Sequence, residues 1–188
     1  MTVSFDDLAE LIKSRRTNMF VDQTREVPKE IVEQLCDLAQ WAPNHKRTWP
    51  WRFALFTGEG RNALGEAFVA DMIDRDFGDE GKRVKTLTKY ARTPSVLVLG
   101  AAAHDKASLH DENRDAVVAG IQNLMLGAEA LGIATYWGTA PLIDSPRALE
   151  LCGFEPDVRL ITVMHLGYPQ GSTEVPQRPA VQLTIVDA

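Results

Sequence analysis

Residues 115–132 restrict the possible folds of this 188-residue chain more than any other segment. They have the spacing of a helix whose apolar residues cover nearly its whole circumference, and such a helix must be covered on every side. Its longest apolar run, residues 116–128, is interrupted by Gln122 and Asn123 and is shorter than the roughly 20 residues that cross a bilayer. The sequence therefore predicts a central helix that needs more cover than one small domain readily provides.

The charge balance argues against two classes of partner. The chain has 20 Lys and Arg residues against 26 Asp and Glu residues, a net charge of −6, and it contains no basic block. Nucleic acids and anionic membranes are bound by clustered cations, so neither is expected as a partner. The composition is that of an ordinary globular protein, and the length suits a single domain that spans residues 1–188.

Two features point to the cytoplasm. Residues 1–7 contain neither the basic region nor the apolar region of a secretory signal. Cys36 and Cys152 lie far apart in helix-like patterns, without a CxxC motif. Such cysteines are expected to be buried free thiols in a reducing compartment.

Helices and strands alternate along the chain. Ser4 is expected to cap a first helix, which ends at residues 14–17, and Pro28 is expected to be the first residue of a second helix. Apolar spacing predicts another helix through Leu64, Phe68 and Met72, and Ser145 caps a short one. Strands are expected at residues 51–57, 95–101, 134–138 and 158–166, and a polar loop at residues 74–85. Because no clean βαβ rhythm is present, an α+β fold is favoured.

One motif suggests a nucleotide site of a different kind. Residues 58–63 match G-x-G-x-x-A between a strand and a helix, which is the context of a dinucleotide-binding fingerprint. Glu59 would place a carboxylate beside the pyrophosphate, and no second strand follows promptly. A plain strand-to-helix turn is favoured, and a Rossmann-type dehydrogenase stays open as an alternative.

Three other clusters carry groups that suit a phosphorylated aromatic ligand. Residues 15–17, Arg-Arg-Thr, supply guanidinium groups for a phosphate, although cations at a helix C-terminus also act as caps. Residues 41–51 hold three Trp, one His and two cations, which can stack on a heterocycle and donate hydrogen bonds; Trp51, at a strand start, is expected in the core. Residues 127–141 end a helix at Gly132, and Gly138 allows a ligand plane to approach the main chain.

In this order and spacing the clusters resemble the nitroreductase-like family of FMN-dependent NAD(P)H oxidoreductases. The matching pieces are R-R-[ST], A-P-x-H-K-x-x-x-P-W-x-F, G-x-x-x-x-G-I…W and the L-G-Y-P at residues 166–169. The short chain and the A-P-x-H-K form are similar to the compact branch of bacterial NAD(P)H nitroreductases. The resemblance implies an α+β fold with a central, mostly antiparallel sheet flanked by helices, and a homodimer with FMN at the subunit interface.

The resemblance also implies which residues bind the cofactor. The FMN phosphate and ribityl chain correspond to Arg15, Arg16 and Thr17, and the segment that reaches the partner's flavin corresponds to Trp41 and His45. The isoalloxazine ring corresponds to Trp137, Gly138 and Thr139, and residues 127–132 to a region of nicotinamide contact. Arg178 could be a second phosphate ligand.

The chain departs from the family pattern at a few positions. Arg47 and Trp49 stand where many members carry Asn and Gln, and Gly138 stands where the compact branch often has Arg. The acidic and histidine residues between 104 and 111 lack the spacing of a metal site, so no metal is expected. His165, in an apolar strand, is expected to be a hydrogen-bonded core residue.

The function expected is therefore hydride transfer through FMN. NADH or NADPH would be the donor, nitroaromatic or quinone-like compounds the acceptors, and the mechanism ping-pong. Flavin N5 would carry the chemistry, so no catalytic side chain is expected. A flavin-binding or storage protein without turnover is the second alternative, beside the Rossmann reading.

Overall fold

A computed structural model describes residues 3–187 as six α-helices and four β-strands. The helices are α1 (Phe5–Ser14), α2 (Lys29–Gln40), α3 (Gly60–Asp74), α4 (Glu80–Lys89), α5 (Ala107–Ala130) and α6 (Pro146–Cys152). The strands are β1 (Trp51–Thr57), β2 (Ser95–Ala101), β3 (Ala134–Gly138) and β4 (Arg159–Gly167). Two short 3₁₀ turns lie at His45–Arg47 and Tyr90–Arg92.

The four strands form one antiparallel sheet in the order β1-β2-β4-β3. β2 is buried along its whole length, as the apolar run at residues 95–101 predicts, whereas β1 and β3 are the edges. The expected α+β class and antiparallel central sheet are confirmed. Because β1 and β2 are antiparallel neighbours, residues 58–63 are a strand-to-helix turn and do not belong to a βαβ unit.

Each face of the sheet carries its own apolar core. On one face, α2 and α5 pack over β2 and β4, and Trp51 is buried in this core as predicted. On the other face, α3 and α6 pack with Tyr90 around Phe68. The protein therefore has a three-layer arrangement with the sheet in the middle.

The central helix is longer than the sequence pattern predicts and is covered on fewer sides. It begins at Ala107, because buried Leu109 and Asn113 hold its charged first turns against the protein. One broad face packs on the sheet and α2. An outward stripe is exposed or half-buried and consists of Ala119, Gln122, Leu126 and Ala130. The chain alone thus leaves part of this helix uncovered.

Several helix ends follow local sequence rules. The Ser4 side chain accepts a hydrogen bond from the Asp7 amide at 3.1 Å, and Ser145 caps α6 in the same way. Pro28 lies one residue before α2, not at its first position as expected. Gly132 follows the end of α5 with a φ of +69°, as the pattern predicts.

The interpretation of residues 74–85 as a loop is wrong over its second half. Asp79 caps α4 by accepting a hydrogen bond from the Lys82 amide at 2.7 Å. Thr86, in this helix, and Tyr90, directly after it, are buried. The helix was missed because its outer residues are charged and its contacts come from α3, which local spacing does not reveal.

The remaining segments add three observations. Residues 171–187 are exposed and contain neither helix nor strand. Both cysteines are free and half-buried, and burial raises the pKa of each thiol to about 12. Within residues 3–187, none of the helices has the length and apolar character needed to cross a membrane.

Candidate functional site

The segment after α1 lies along the free edge of β3. Thr17 pairs with Thr135 in a parallel β-bridge, and the Asn18 amide donates a hydrogen bond to the Thr135 carbonyl at 3.3 Å. Arg15 forms the C-cap of α1, as expected from its position. The structure thus brings residues 15–17 next to the strand that ends in Trp137 and Gly138, although the two segments are far apart in sequence.

A cavity of about 220 Å³, hereafter the first cavity, lies where β3 begins. Its polar lining includes Arg16, Asn18, Glu129, Ser172 and Thr173. Arg16 Nη1 donates to the Arg15 carbonyl at 2.5 Å. Arg16 Nε is buried and has no hydrogen-bond partner within residues 3–187.

This unpartnered nitrogen tests whether a phosphate suits the first cavity. Leaving a buried donor unsatisfied costs roughly 1–3 kcal/mol, and more for a charged group. Because Arg16 lines the first cavity, its guanidinium could donate to a phosphate oxygen there, and the Ser172 and Thr173 hydroxyls could donate to the same group. Glu129 is the one acidic group in the lining. The residues present therefore fit a phosphomonoester such as the end of FMN.

A cavity of about 330 Å³, hereafter the second cavity, lies where β3 ends. It is lined by Met19, Lys89, Tyr90, Arg92, Tyr136, Gly138, Thr139, Val163 and His165. Gly138 and Thr139, two residues that the resemblance implies for the flavin ring, thus face two cations. Trp137 is half-buried and packs against the core on the other face of the sheet.

Position 138 accepts only glycine without a shift of the sheet. A Cβ there would lie 2.6 Å from the Val163 carbonyl oxygen, because β3 and β4 pair closely at this point. The absence of a side chain also leaves the strand edge open to the second cavity. Gly138 therefore serves both the packing of the sheet and access to the cavity.

Burial and neighbouring cations shift two pKa values in the second cavity. The pKa of Lys89 is lowered to about 8, chiefly by burial and then by Arg92 and Lys82. The pKa of His165 is lowered to about 4, chiefly by burial and then by Lys89 and Arg92. At neutral pH Lys89 is therefore protonated, and the His165 imidazole in the same cavity is neutral.

Trp41 and His45 lie elsewhere in the chain. Trp41 follows α2 and is 79% exposed, and His45 Nδ1 is hydrogen-bonded to the Glu112 carboxyl group near the start of α5. Glu129, which lines the first cavity, is 17 residues further along the same helix, or about 25 Å at 1.5 Å per residue. Within one chain, His45 is therefore far from the first cavity and from Arg16, which lines it.

Sequence analysis missed the cations of the second cavity. Lys89 and Arg92 follow a stretch that was interpreted as a loop, so nothing placed them beside β3. Their position directly before the buried strand β2 was the available signal, since the start of β2 lies near the end of β4. Met19 and Tyr136 were missed for the same reason, because their contacts are long-range.

The other predicted features have ordinary surroundings. Gly127 lets α2 approach α5, because a Cβ there would lie 2.6 Å from Leu38 Cδ1. Arg178 is exposed. Across the described chain, residues 3–187, no group of three or more His, Cys, Asp or Glu side chains is placed to hold a metal ion. His165 is buried and hydrogen-bonded to Thr93, which confirms the expected core position.

Comparison with known proteins identifies relatives along most of the chain. Residues 12–168 match the model of the nitroreductase family. A Bacillus subtilis (strain 168) protein assigned as an NAD(P)H nitroreductase, YfhC, is 27% identical over 93% of this chain and 91% of its own length. Mouse iodotyrosine deiodinase 1 is 26% identical over 94% of this chain and 67% of its own length.

Solved structures share the fold. A nitroreductase-like family protein from Bacillus cereus superposes with a TM-score of 0.83 at 26% identity and covers 100% of both chains. The FMN-dependent nitroreductase NfnB of Mycobacterium smegmatis, solved in complex with NADPH, gives a TM-score of 0.71 at 20% identity over 94% of this chain and 97% of its own.

Proposed function

The chain belongs to the nitroreductase family and is an oxidoreductase, and on that premise we propose that it transfers hydride from NADH or NADPH through FMN to nitroaromatic or quinone-like acceptors by a ping-pong mechanism. We also propose that residues 1–188 act as one domain, and that the protein works in the cytoplasm with its two cysteines as free thiols.

The observation that carries this proposal is the pair of cavities beside β3. Ala134 lines the first and Gly138 the second, and these residues lie four positions apart in the strand, or about 13 Å. An unsatisfied guanidinium nitrogen lies at one end and two cations with a glycine edge lie at the other. This suits an elongated ligand with a phosphate at one end and a planar, electron-poor ring at the other.

We assign the phosphate and ribityl chain to Arg15, Arg16 and Thr17. A protein of net charge −6 offers no favourable overall field to a phosphate of about two negative charges, so local cations must offset the repulsion. Arginine suits this role because its planar fork donates two hydrogen bonds at once.

We assign the ring to Trp137, Gly138 and Thr139; Trp137 would take part through its backbone, because its side chain packs on the other face of the sheet. Backbone amides at 138 and 139 would donate hydrogen bonds to its edge, and Lys89 and Arg92 would offset negative charge that develops there. When bound, FMN would supply the hydride chemistry at its N5. No side chain of the chain is then required as a general acid or base.

We further propose that the protein is a homodimer in which Trp41 and His45 serve the partner's flavin. His45 contacts Glu112, which lies about 25 Å along α5 from Glu129 of the first cavity, and this separation supports the arrangement for His45. The outward stripe of α5 is uncovered, and large apolar side chains are exposed at Phe5, Leu8, Ile12, Leu38, Trp41 and Leu131. Exposed apolar surface of this extent is typical of a protein interface.

The first test is the colour and flavin content of the purified protein. It should be yellow and should release near-stoichiometric FMN on denaturation. Anaerobic mixing with NADH or NADPH should bleach the flavin, and an acceptor should restore its colour in a second, separable half-reaction. Steady-state rates measured against both substrates should then give the parallel double-reciprocal lines of a ping-pong mechanism.

The acceptor panel should contain a nitroaromatic compound, a quinone and 3-iodo-L-tyrosine, because one relative is an iodotyrosine deiodinase. Rapid reoxidation by the nitroaromatic or the quinone supports the proposed acceptor class. A flavin that neither nucleotide can reduce would instead indicate a storage protein. A colourless protein that binds only nicotinamide nucleotide would contradict the FMN assignment.

A further inference from the structure

His165 is the one histidine in the wall of the second cavity. It lies in β4 between Val96 of β2 and Tyr136 of β3, and only 4% of it is exposed. Its ring stacks on Tyr90 at 6.2 Å between centroids and meets the Tyr136 ring edge-on at 5.7 Å. These contacts hold the imidazole in one orientation.

The hydrogen bonds of its neighbours determine which ring nitrogen carries the proton. His165 Nδ1 lies 2.8 Å from Thr93 Oγ1, and the Thr93 hydroxyl donates to the Ser95 carbonyl at 3.2 Å. A hydroxyl has a single proton, so the tautomer compatible with the Thr93–Ser95 hydrogen bond has its proton on His165 Nδ1, from which the Thr93 oxygen accepts. The neutral imidazole then carries no proton on Nε2, which is an acceptor.

That acceptor has no partner in the protein and is not sealed off. Within residues 3–187, Nε2 makes no hydrogen bond, and it is not among the buried atoms without a partner. A Cβ at position 138 would lie 3.7 Å from Cδ2, the ring carbon bonded to Nε2. Because residue 138 is glycine, this edge of the imidazole is uncovered toward the second cavity.

The second cavity places the Nε2 acceptor in the same wall as two donors. Lys89 and Arg92 are donors only, whereas the hydroxyls of Tyr90, Tyr136 and Thr139 can donate or accept. The pyrimidine edge of a flavin can meet both kinds of group, because N3–H, a donor, lies between two carbonyl oxygens, which are acceptors.

We propose that His165 Nε2 accepts the hydrogen bond of the flavin N3–H, which makes His165 a cofactor-binding residue and fixes the pyrimidine edge in the second cavity. This inference rests on the proposed function, because it requires FMN in the site. It gives Gly138 a role in binding, since a side chain there would separate the imidazole from the ring.

The test uses FMN and its 3-methyl analogue, which lacks the N3 proton, with the flavin-stripped full-length protein. Wild type should bind 3-methyl-FMN about tenfold or more weakly than FMN, because a hydrogen bond is lost and an acceptor is left unsatisfied. His165→Phe keeps an aromatic ring of similar shape but has no acceptor, so it should bind the two flavins equally. His165→Gln retains an acceptor and should recover part of the preference.

The controls separate this inference from the proposed function. His104→Phe changes a histidine outside the second cavity and should keep the wild-type preference. A wild type that binds FMN and 3-methyl-FMN with equal affinity would overturn the role of His165, even if His165→Phe does not fold. An undiminished preference in His165→Phe would overturn it as well. A wild type that binds neither flavin would contradict the proposed function itself.

Discussion

Thr17 and Thr135 pair in a parallel β-bridge that attaches the segment after the first helix to the free edge of β3. This contact brings the motif proposed for the phosphate close to the motif proposed for the ring, which lies more than a hundred residues later, and in the proposed site the two serve one ligand. It extends the sheet by a short stretch of chain without adding a regular strand. Four measurements can test the site that results.

Replacement of the arginines at the phosphate end should affect FMN and riboflavin differently. Arg15→Ala and Arg16→Ala should each weaken FMN by about 30-fold or more, since truncating one partner of a desolvated charge pair costs roughly 2–5 kcal/mol. Riboflavin has no phosphate and should be affected far less. Titration of the flavin-stripped protein with both ligands measures the difference.

Two further variants complete this test. Arg15→Lys should recover only part of the FMN affinity, because an ammonium cannot form a two-pronged contact. Arg75→Ala removes a surface ion pair with Asp144 and should leave both affinities unchanged. Equal losses of FMN and riboflavin in Arg15→Ala would mean that Arg15 is only a helix cap.

A charge in the outward stripe of α5 should separate the subunits. Leu126→Glu should yield monomers in light scattering and lose FMN, because Trp41 and His45 of each chain then no longer reach the other chain's flavin. Ala67→Glu, a similar change at a half-buried position of α3, should remain a flavin-loaded dimer. A wild-type monomer that retains stoichiometric FMN at micromolar concentration would refute the shared site.

Lys89→Met should weaken FMN and riboflavin to the same extent, by about tenfold, because Lys89 faces the ring end and not the phosphate end. The wild-type affinity should also fall as the pH rises through about 8, since burial and Arg92 lower the pKa of Lys89 to that value. The variant should lack this dependence. Lys85→Met on the exposed side of α4 is the control, and a loss confined to FMN would contradict the assignment.

His165 should make the stability of the protein depend on pH below neutrality. Its pKa is lowered to about 4 in the folded state, so the unfolded chain binds the proton more readily. The contribution of the neutral imidazole to the stability of the fold is complete above the ordinary histidine pKa of about 6.5, and it is lost as the pH falls through 4. A difference of that size between the folded and unfolded pKa values corresponds to about 3 kcal/mol of unfolding free energy.

Urea denaturation at several pH values measures this effect. The unfolding free energy of the wild type minus that of His165→Phe should fall as the pH is lowered from 6.5 to 4. Only the wild type loses the stabilising contribution of the neutral imidazole over this range. His104→Phe should follow the wild-type curve across the same range. A difference that stays constant from pH 7 to pH 4 would show that burial does not disfavour the protonated form of His165.

The sequence predicted local structure well wherever a short pattern determines it. The strand at residues 51–57 has the expected bounds, and the Ser4 and Ser145 caps form as expected, because side-chain alternation and capping depend on a few neighbouring residues. Residues 80–85 were wrongly predicted as a loop because their helix is stabilised by α3, and α5 begins earlier than expected because Asn113 is anchored to the Ala102 carbonyl.

The site could be predicted only as separate pieces. Motif spacing indicated Arg16 and Gly138 but not that one strand edge joins them, since neither residue is near the other in sequence. Lys89 and His165 were not identified, because each lies in the second cavity only through the pairing of β2, β3 and β4. No local sequence pattern indicates the order of the strands. Their identification required the three-dimensional arrangement.

Helix α5 has one further consequence in the proposed dimer. Its first turns contact His45, which would serve the partner's flavin, and its last turn borders the first cavity of its own chain. Each such helix is then shared by two binding sites. If the first flavin orders this helix, the entropic cost of binding the second is lower, so the two flavins should load cooperatively and half-loaded dimers should be scarce.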